Sequence, residues 1–181
     1  MSEFGRLVEQ EIPRLRRNAR ALTRDCEHAD DLVQNCLMRA LANQRLWQPG
    51  TNLRAWLFTI LHNTRVSDLR RSAREESCSE LAMARMIPAP RAPDTRLPLR
   101  DLERAIGELP ESQRHVLLLI GLEEMSYGQV AAVLGQPVGT IRSRLSRARA
   151  VLREQLPHLL PGNVAHRQSP VRRHLDRPSS S

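Results

Sequence analysis

The stretch GQPVGTIRSRLSRARAVLRE, residues 135–154, determines how the rest of the chain is interpreted. Its apolar residues recur every three or four positions, which predicts one apolar stripe along an α-helix. These residues are Ile141, Leu145, Ala148 and Leu152. The stretch also contains five arginines, and its first carboxylate is Glu154. A helix that buries one face and concentrates arginine on the others is typical of a polyanion-binding surface.

The residues before this helix predict a partner helix and a tight turn. Ser126 and Gln129 form a capping-box pattern ahead of the apolar run VAAVLG. Ala131 is small where two helices would cross, and Gly135 can adopt a turn conformation that a β-carbon hinders. A short helix, a glycine-containing turn and a second helix make a helix-turn-helix. The alternative is an ordinary helical hairpin with a solvated basic face.

The polar face of the second helix carries residue types that read DNA. Small side chains let a helix enter the major groove, arginine can fork onto guanine, and serine can contact a base or a phosphate. The candidates for DNA contact are Thr140, Arg142, Ser143, Ser146 and Arg147. Arg144 and Arg153 are expected to meet phosphate or solvent instead.

The charge of the chain also favours a nucleic-acid partner. The 181 residues carry a net charge of +8, and all 28 basic residues are arginine. Arginine suits phosphate and guanine edges, although the codon preference of a GC-rich genome would give the same bias. Residues 98–156 hold 8 arginines against 7 acidic residues, so this part is nearly neutral and its positive charge is concentrated in the stretch quoted above.

Several other classes of protein are disfavoured by the sequence. An enzyme is not expected, because the chain has no nucleophile elbow, glycine-rich phosphate loop or metal-ligand cluster. Cys26, Cys36 and Cys78 form no CxxC pair, so we expect reduced thiols, with no metal and no cofactor. No signal peptide and no apolar run of about 18 residues is present. We therefore expect no membrane insertion and a cytoplasmic location.

Helical periodicity predicts an all-α protein with two small domains. Residues 1–75 indicate three helices, and residues 98–156 indicate the helices that end in the helix-turn-helix. Between them, residues 76–97 lie in a proline-rich region and predict a flexible linker. Residues 157–181 are rich in proline, serine, arginine and histidine and are predicted to be disordered.

Local features of these helices can also be predicted. Pro13 marks either a kink in the first helix or its true first turn. Phe58 lies off the apolar face that contains Leu57 and Leu61, so the third helix should pack on more than one side. Gly107 is expected to end the first helix of the second domain.

Both predicted domains resemble the extracytoplasmic-function class of bacterial sigma factors. The segment ADDLVQNCLMRAL (29–41) is similar to region 2.2 of that class, and PGTNLRAWLFTILHNTRVSDLRR (49–71) is similar to regions 2.3 and 2.4. The segment LPESQRHVLLLIGLEEMSYGQVAAVLGQPVGTIRSRLSRARAVL (109–152) resembles region 4 from end to end. Two departures are Asn35, where an acidic residue is usual, and Trp47, which is shifted from the common spacing.

The resemblance implies a sigma factor that binds core RNA polymerase and directs promoter-specific transcription initiation. Residues 1–75 would be region 2, which recognises the -10 element, and residues 98–156 would be region 4, which recognises the -35 element. An anti-sigma factor and a stress or envelope response are also implied. The rival interpretation is a conventional helix-turn-helix transcriptional regulator, which would need a dimerisation or effector domain.

The resemblance also assigns roles in region 2. The polymerase-binding face on the second helix would comprise Asp31, Gln34, Asn35, Met38 and Arg39, with a plain solvated face as the alternative. Capture of the opened strand at the -10 element would involve Asn52, Arg54, His62, Asn63, Arg70 and Arg71. Arg70, Arg71 and Arg74 are expected to contact backbone phosphate, with a solvated helix end as the alternative, and Trp56 is expected in the core.

Overall fold

The computed structural model describes residues 2–78 and 97–157, where all regular structure is helical. The helices are α1 (Glu3–Thr23), α2 (Cys26–Ala42), α3 (Leu53–Cys78), α4 (Leu97–Glu108), α5 (Glu111–Gly121), α6 (Tyr127–Leu134) and α7 (Val138–Gln155), with one 3-10 turn at Gln44–Leu46. The predicted all-α architecture is confirmed, with α1–α3 in one unit and α4–α7 in the other. Helix α3 reaches three residues into the range predicted as linker. The rest of that range up to residue 96, and the tail from 158, lie outside the described residues.

Side-chain caps fix where the helices of the first unit begin. The Ser2 hydroxyl accepts a hydrogen bond from the backbone N–H of Gly5 at 3.2 Å, so α1 starts well before Pro13 and continues through it. Pro13 is therefore not the first turn. Asp25 caps α2 by accepting from the N–H of Glu27 at 2.9 Å.

The third helix packs on more than one side, as its sequence predicted. Phe58, Leu57 and Leu61 are all fully buried. The hydrophobic cluster that contains them continues into the second unit, where it includes Val116 and Leu119. The two units are therefore packed against each other.

The prediction that Gly107 ends a helix was wrong, since α4 continues to Glu108. A β-carbon at position 107 would lie only 2.8 Å from the guanidinium carbon of Arg24. Arg24 in turn donates from Nη1 to the Gly107 carbonyl at 3.0 Å. The glycine therefore permits a close approach between the two units rather than a helix end.

Gly135 gives a testable prediction for the turn between α6 and α7. Its φ is +60°, and a β-carbon built there would meet nothing within 4 Å. Gly135→Ala should therefore destabilise the protein by about 1 kcal/mol through backbone strain alone. Gly139→Ala, in open space on α7 without a positive φ, is the matched control and should be neutral or slightly stabilising. Urea unfolding of both variants measures the difference, and equal stabilities would contradict this account of the turn.

Candidate nucleic-acid interface

Helices α6 and α7 form the predicted helix-turn-helix. The capping box is present: the Ser126 N–H donates to Gln129 Oε1 at 2.8 Å, and the Gln129 N–H donates to Ser126 Oγ at 3.2 Å. Gly135 ends α6 in the left-handed conformation. Ala131 is buried where the helices meet. These local interactions set the angle at which α7 leaves the turn.

Helix α7 has one buried face and one face exposed to solvent. Its buried residues are Ile141, Leu145, Ala148 and Leu152, which is the predicted stripe. The side chains of Arg142, Ser143, Ser146 and Arg147 are exposed, and Thr140 is half-buried. The Ser143 hydroxyl donates to the Thr140 carbonyl at 3.0 Å. The five candidates for DNA contact thus lie off the stripe that holds the helix in place.

Tyr127 is a member of this surface that the sequence did not reveal. It is the first residue of α6 and is 38% exposed, and its ring centroid lies 5.7 Å from Cζ of Arg142. A guanidinium within about 6 Å of an aromatic ring is attracted to it electrostatically. The pairing joins residues 15 positions apart in the sequence, so helical periodicity within α7 could not have revealed it.

The outward face of α2 carries the candidates for polymerase binding. Asp31, Gln34 and Arg39 are exposed, Met38 is 60% exposed, and Asn35 is half-buried. No salt bridge links Asp31 or Arg39 to another described residue. Both charges are therefore available to a partner.

Two exposed leucines extend this face. Leu41, which follows Met38 by three residues on α2, is 51% exposed, and Leu46 in the 3-10 turn is 72% exposed. By helical spacing Leu41 lies beside the buried row of α2, yet about half of its side chain is open to solvent. The sequence feature that could have predicted this exposure is the three-residue spacing between Leu41 and Met38, which puts both side chains on one face of the helix. An exposed apolar patch rimmed by charges is typical of a protein-binding surface.

Three candidates for binding the -10 element, Asn52, Arg54 and Arg71, already form hydrogen bonds or ion pairs within the first unit. The side chain of Asn52 caps α3 by accepting from the N–H of Ala55 at 3.0 Å. Arg54 donates from Nε to Glu11 Oε2 at 3.2 Å, and Arg71 pairs with Asp68 at 3.2 Å. Asn52 and Arg71 remain exposed, whereas Arg54 is half-buried.

The remaining three candidates, His62, Asn63 and Arg70, line a groove between the two units. The groove has a volume of about 740 Å³ and is closed on the other side by α5 and by Leu134, Gln136 and Arg144. Arg144 is half-buried there. The structure thus brings these three together but separates them from Asn52, which lies 10 residues before His62, roughly 15 Å along the axis of α3, and 18 residues before Arg70, roughly 27 Å.

Burial keeps two histidines at this boundary neutral. The rings of His62 and His115 lie 5.2 Å apart. Burial, together with the nearby His62 and Arg65, lowers the pKa of His115 to about 3. Burial also lowers the pKa of His62. Both imidazoles are therefore uncharged at neutral pH while the units are packed together.

The described residues show neither a metal-binding cluster nor a membrane-spanning helix. In residues 2–78 and 97–157, no group of three or more potential metal-ligating side chains comes together. Burial raises the pKa of the Cys36 thiol to about 12, and its Sγ donates to the Leu57 carbonyl at 3.5 Å. None of the described helices combines the length and apolarity needed to cross a bilayer.

Comparison with known proteins identifies both units. Residues 8–62 match the family described as the Sigma2 domain of PhyR, and residues 99–152 match Sigma-70, region 4. The chain is 43% identical over 141 residues to the ECF RNA polymerase sigma factor EcfG of Rhodopseudomonas palustris, covering 78% of each chain.

Solved structures agree with these sequence matches. The sigma factor RpoE of Bartonella quintana, in complex with the anti-sigma factor NepR, is 38% identical with a TM-score of 0.78, covering 87% of this chain and 99% of RpoE. CnrH, in complex with the cytosolic domain of CnrY, is 29% identical with a TM-score of 0.61, covering 85% of this chain and 87% of CnrH.

Proposed function

The chain belongs to the extracytoplasmic-function (ECF) family of RNA polymerase sigma factors. We propose which of its surfaces binds the polymerase and which bind each promoter element. The protein binds core RNA polymerase and directs it to promoters by recognising the -10 and -35 elements. In our proposal α2 docks on the polymerase, α3 reads the -10 element, and α7 reads the -35 element. The protein would act in the cytoplasm during a stress or envelope response.

The observation that carries this proposal is the exposed face of α7. Four of its five candidate side chains are exposed while the opposite stripe is buried. A major groove accepts one helix, with short side chains near its floor and arginines reaching base edges or phosphates. The arrangement of Ser143 and Ser146 between Arg142 and Arg147 fits that use.

Region 2 argues against a conventional helix-turn-helix regulator. Such a regulator would need a dimerisation or effector domain, but residues 8–62 match a sigma region 2 domain instead. Helix α2 also offers an exposed mixed surface of charges with Met38 and Leu41, as expected for docking on a large protein partner.

An anti-sigma factor is a further partner. The structures of RpoE and CnrH contain NepR and the cytosolic domain of CnrY, respectively. We propose that a similar inhibitor holds this protein inactive by covering surfaces that polymerase needs.

Transcription with purified components tests the proposed function. The protein is mixed with core polymerase alone and a library of promoter fragments, and transcripts are sequenced. Specific initiation that requires both proteins is expected. Duplex binding without initiation would instead indicate the conventional regulator.

Tyr127 gives a prediction for the -35 surface. If the ring holds Arg142 in position, Tyr127→Leu should weaken discrimination at the base pair that Arg142 reads by roughly 2- to 5-fold, the equivalent of about 0.5–1 kcal/mol. Tyr127→Phe keeps the ring and should restore discrimination. Initiation is measured on a set of single-base -35 variants, because a merely structural role would lower all of them equally.

A further inference from the structure

The groove between α3 and the second unit carries positive charge that no described residue pairs with. Arg70 of α3 and Arg144 of α7 both line this groove, whose volume is about 740 Å³. Neither arginine forms an ion pair with another described residue. The two guanidinium groups come from different units, so the groove brings together charges that are far apart in the sequence.

A third arginine in the groove is already paired. Arg65 donates from Nε and Nη2 to both carboxylate oxygens of Glu111, at 3.2 and 3.3 Å. Among the groove residues, Glu111 is the one carboxylate that opposes Arg65, Arg70 and Arg144. The groove therefore keeps two uncompensated positive charges, and a concave surface of one sign concentrates counter-ions of the other sign.

The two histidines give the groove uncharged, flat side chains. His62 is half-buried, His115 is 5% exposed, and their rings lie 5.2 Å apart. Burial lowers the pKa of both imidazoles, so they add no charge at neutral pH. Nε2 of His115 has no hydrogen-bond partner among the described residues. A buried polar atom without a partner marks a place where a water molecule or a ligand group is expected.

The rest of the lining combines apolar and hydrogen-bonding side chains. Small-molecule sites are typically clefts of roughly 300–1,000 Å³ with apolar walls and a few polar groups. The apolar wall is formed by Val66, Leu69 and Leu134, and the polar side chains are Asn63, Ser67, Ser112 and Gln136. Together with two unpaired arginines, this composition suits a ligand that has a flat ring system at one end and a phosphate group at the other.

Arg144 is not used by the proposed -35 surface. It is half-buried on α7, whereas Arg142 and Arg147 on the same helix are exposed. The sequence predicted that Arg144 would meet phosphate or solvent. Its position in the groove makes it available to a phosphate other than those of the -35 duplex.

We propose that this groove binds a nucleoside diphosphate or a chemically similar small nucleotide. Its phosphates lie between Arg70 and Arg144, and its base lies against the wall that contains His62. Arginine is suited to this role because its planar fork binds two phosphate oxygens at once. Asn63 and Arg70 are also candidates for contact with the -10 element, so a bound nucleotide would compete with that strand. The site itself goes beyond the proposed function and does not depend on it.

Calorimetric titration of the free full-length chain at physiological salt tests the site. ADP should bind with a dissociation constant of roughly 10–200 µM, as expected for a small ligand in an open groove. Inorganic pyrophosphate should bind roughly 10-fold more weakly, and adenosine should give no measurable heat. No ADP binding below about 1 mM would overturn the proposal. Pyrophosphate that binds as tightly as ADP would show that the groove holds an adventitious ion only.

Single charge removals locate the binding energy. Arg70→Gln and Arg144→Gln should each weaken ADP binding by roughly 10-fold. The matched controls are Arg16→Gln on α1 and Arg149→Gln on α7, which remove the same charge at exposed positions outside the groove and should stay within roughly 2-fold of wild type. Melting curves followed by circular dichroism verify that each variant is folded. Equal losses in all four folded variants would mean that ADP responds only to the net positive charge of the chain.

Photocrosslinking with 8-azido-ADP maps the site directly. Mass spectrometry should find the label on peptides that contain residues 62–70 or 134–144, and labelling confined to other peptides would contradict the assignment. The DNA strand offers the same phosphate chemistry, so oligothymidylate of about 12 nucleotides is titrated in parallel. Oligothymidylate binding that depends on Arg144, without any ADP binding, would assign the groove to the DNA strand instead. These assays contain no polymerase, so a failure of promoter-specific initiation would leave their outcome unchanged.

Discussion

Exchanging the two charges on the outward face of α2, Asp31→Arg together with Arg39→Asp, is expected to weaken binding to core RNA polymerase roughly 10- to 100-fold. That loss corresponds to about 1.4–2.8 kcal/mol, which is typical when complementary charges at an interface become like charges. The exchange leaves the net charge of the chain unchanged, so long-range attraction is preserved. Both side chains are exposed, so the free energy of unfolding should change by less than about 0.5 kcal/mol.

Binding of labelled protein to purified core polymerase measures this effect. The matched control exchanges Glu9 and Arg16, an exposed pair on α1 outside the proposed docking face, by Glu9→Arg with Arg16→Glu. Unchanged affinity in the α2 variant, with normal folding, would mean that polymerase docks elsewhere.

Arg147→Ala is expected to reduce initiation at -35-dependent promoters by roughly 10- to 100-fold. The side chain is exposed on α7 opposite the buried stripe, and a good two-pronged base contact contributes about 1–3 kcal/mol of discrimination. If the contact is to a base, the variant should also become tolerant of substitution at one position of the -35 element.

Arg153→Ala is the internal control for that prediction. Arg153 lies in the last turn of the same helix and is exposed, so it should contribute only sequence-independent, salt-sensitive affinity. Both variants are assayed on single-base -35 variants at two salt concentrations. Equal losses without base preference would show that the arginines only anchor the helix, and recognition would then have to come from other residues.

Elements defined by neighbouring residues were predictable from the sequence. The Ser126–Gln129 capping box, the left-handed Gly135 and the buried stripe that begins at Ile141 are all as expected. Each depends on interactions within one helix or one turn, and such interactions recur at fixed spacings along the chain. The family resemblance rests on the same segments and is confirmed by the matches to region 2 and region 4.

Exposure at the edge of an apolar face was less predictable. Leu41 belongs by spacing to a row beside the core of α2, yet half of its side chain is open to solvent. Gly107 was interpreted as a helix end, although it accommodates Arg24, the residue that follows α1. In both cases the outcome depends on which distant element packs nearby, and periodicity does not contain that information.

The sequence alone therefore determined the helices, their division into two sigma-like domains, and the faces that carry arginine and serine. Only the tertiary structure decided that the domains pack together through Arg65–Glu111 and His62–His115, and that Tyr127 lies against Arg142. The physical reason is the distance along the sequence over which each kind of interaction acts. Helix formation, capping and amphipathicity act over three or four residues, whereas these pairs join side chains 15 to 53 positions apart, which meet only after the helices have packed.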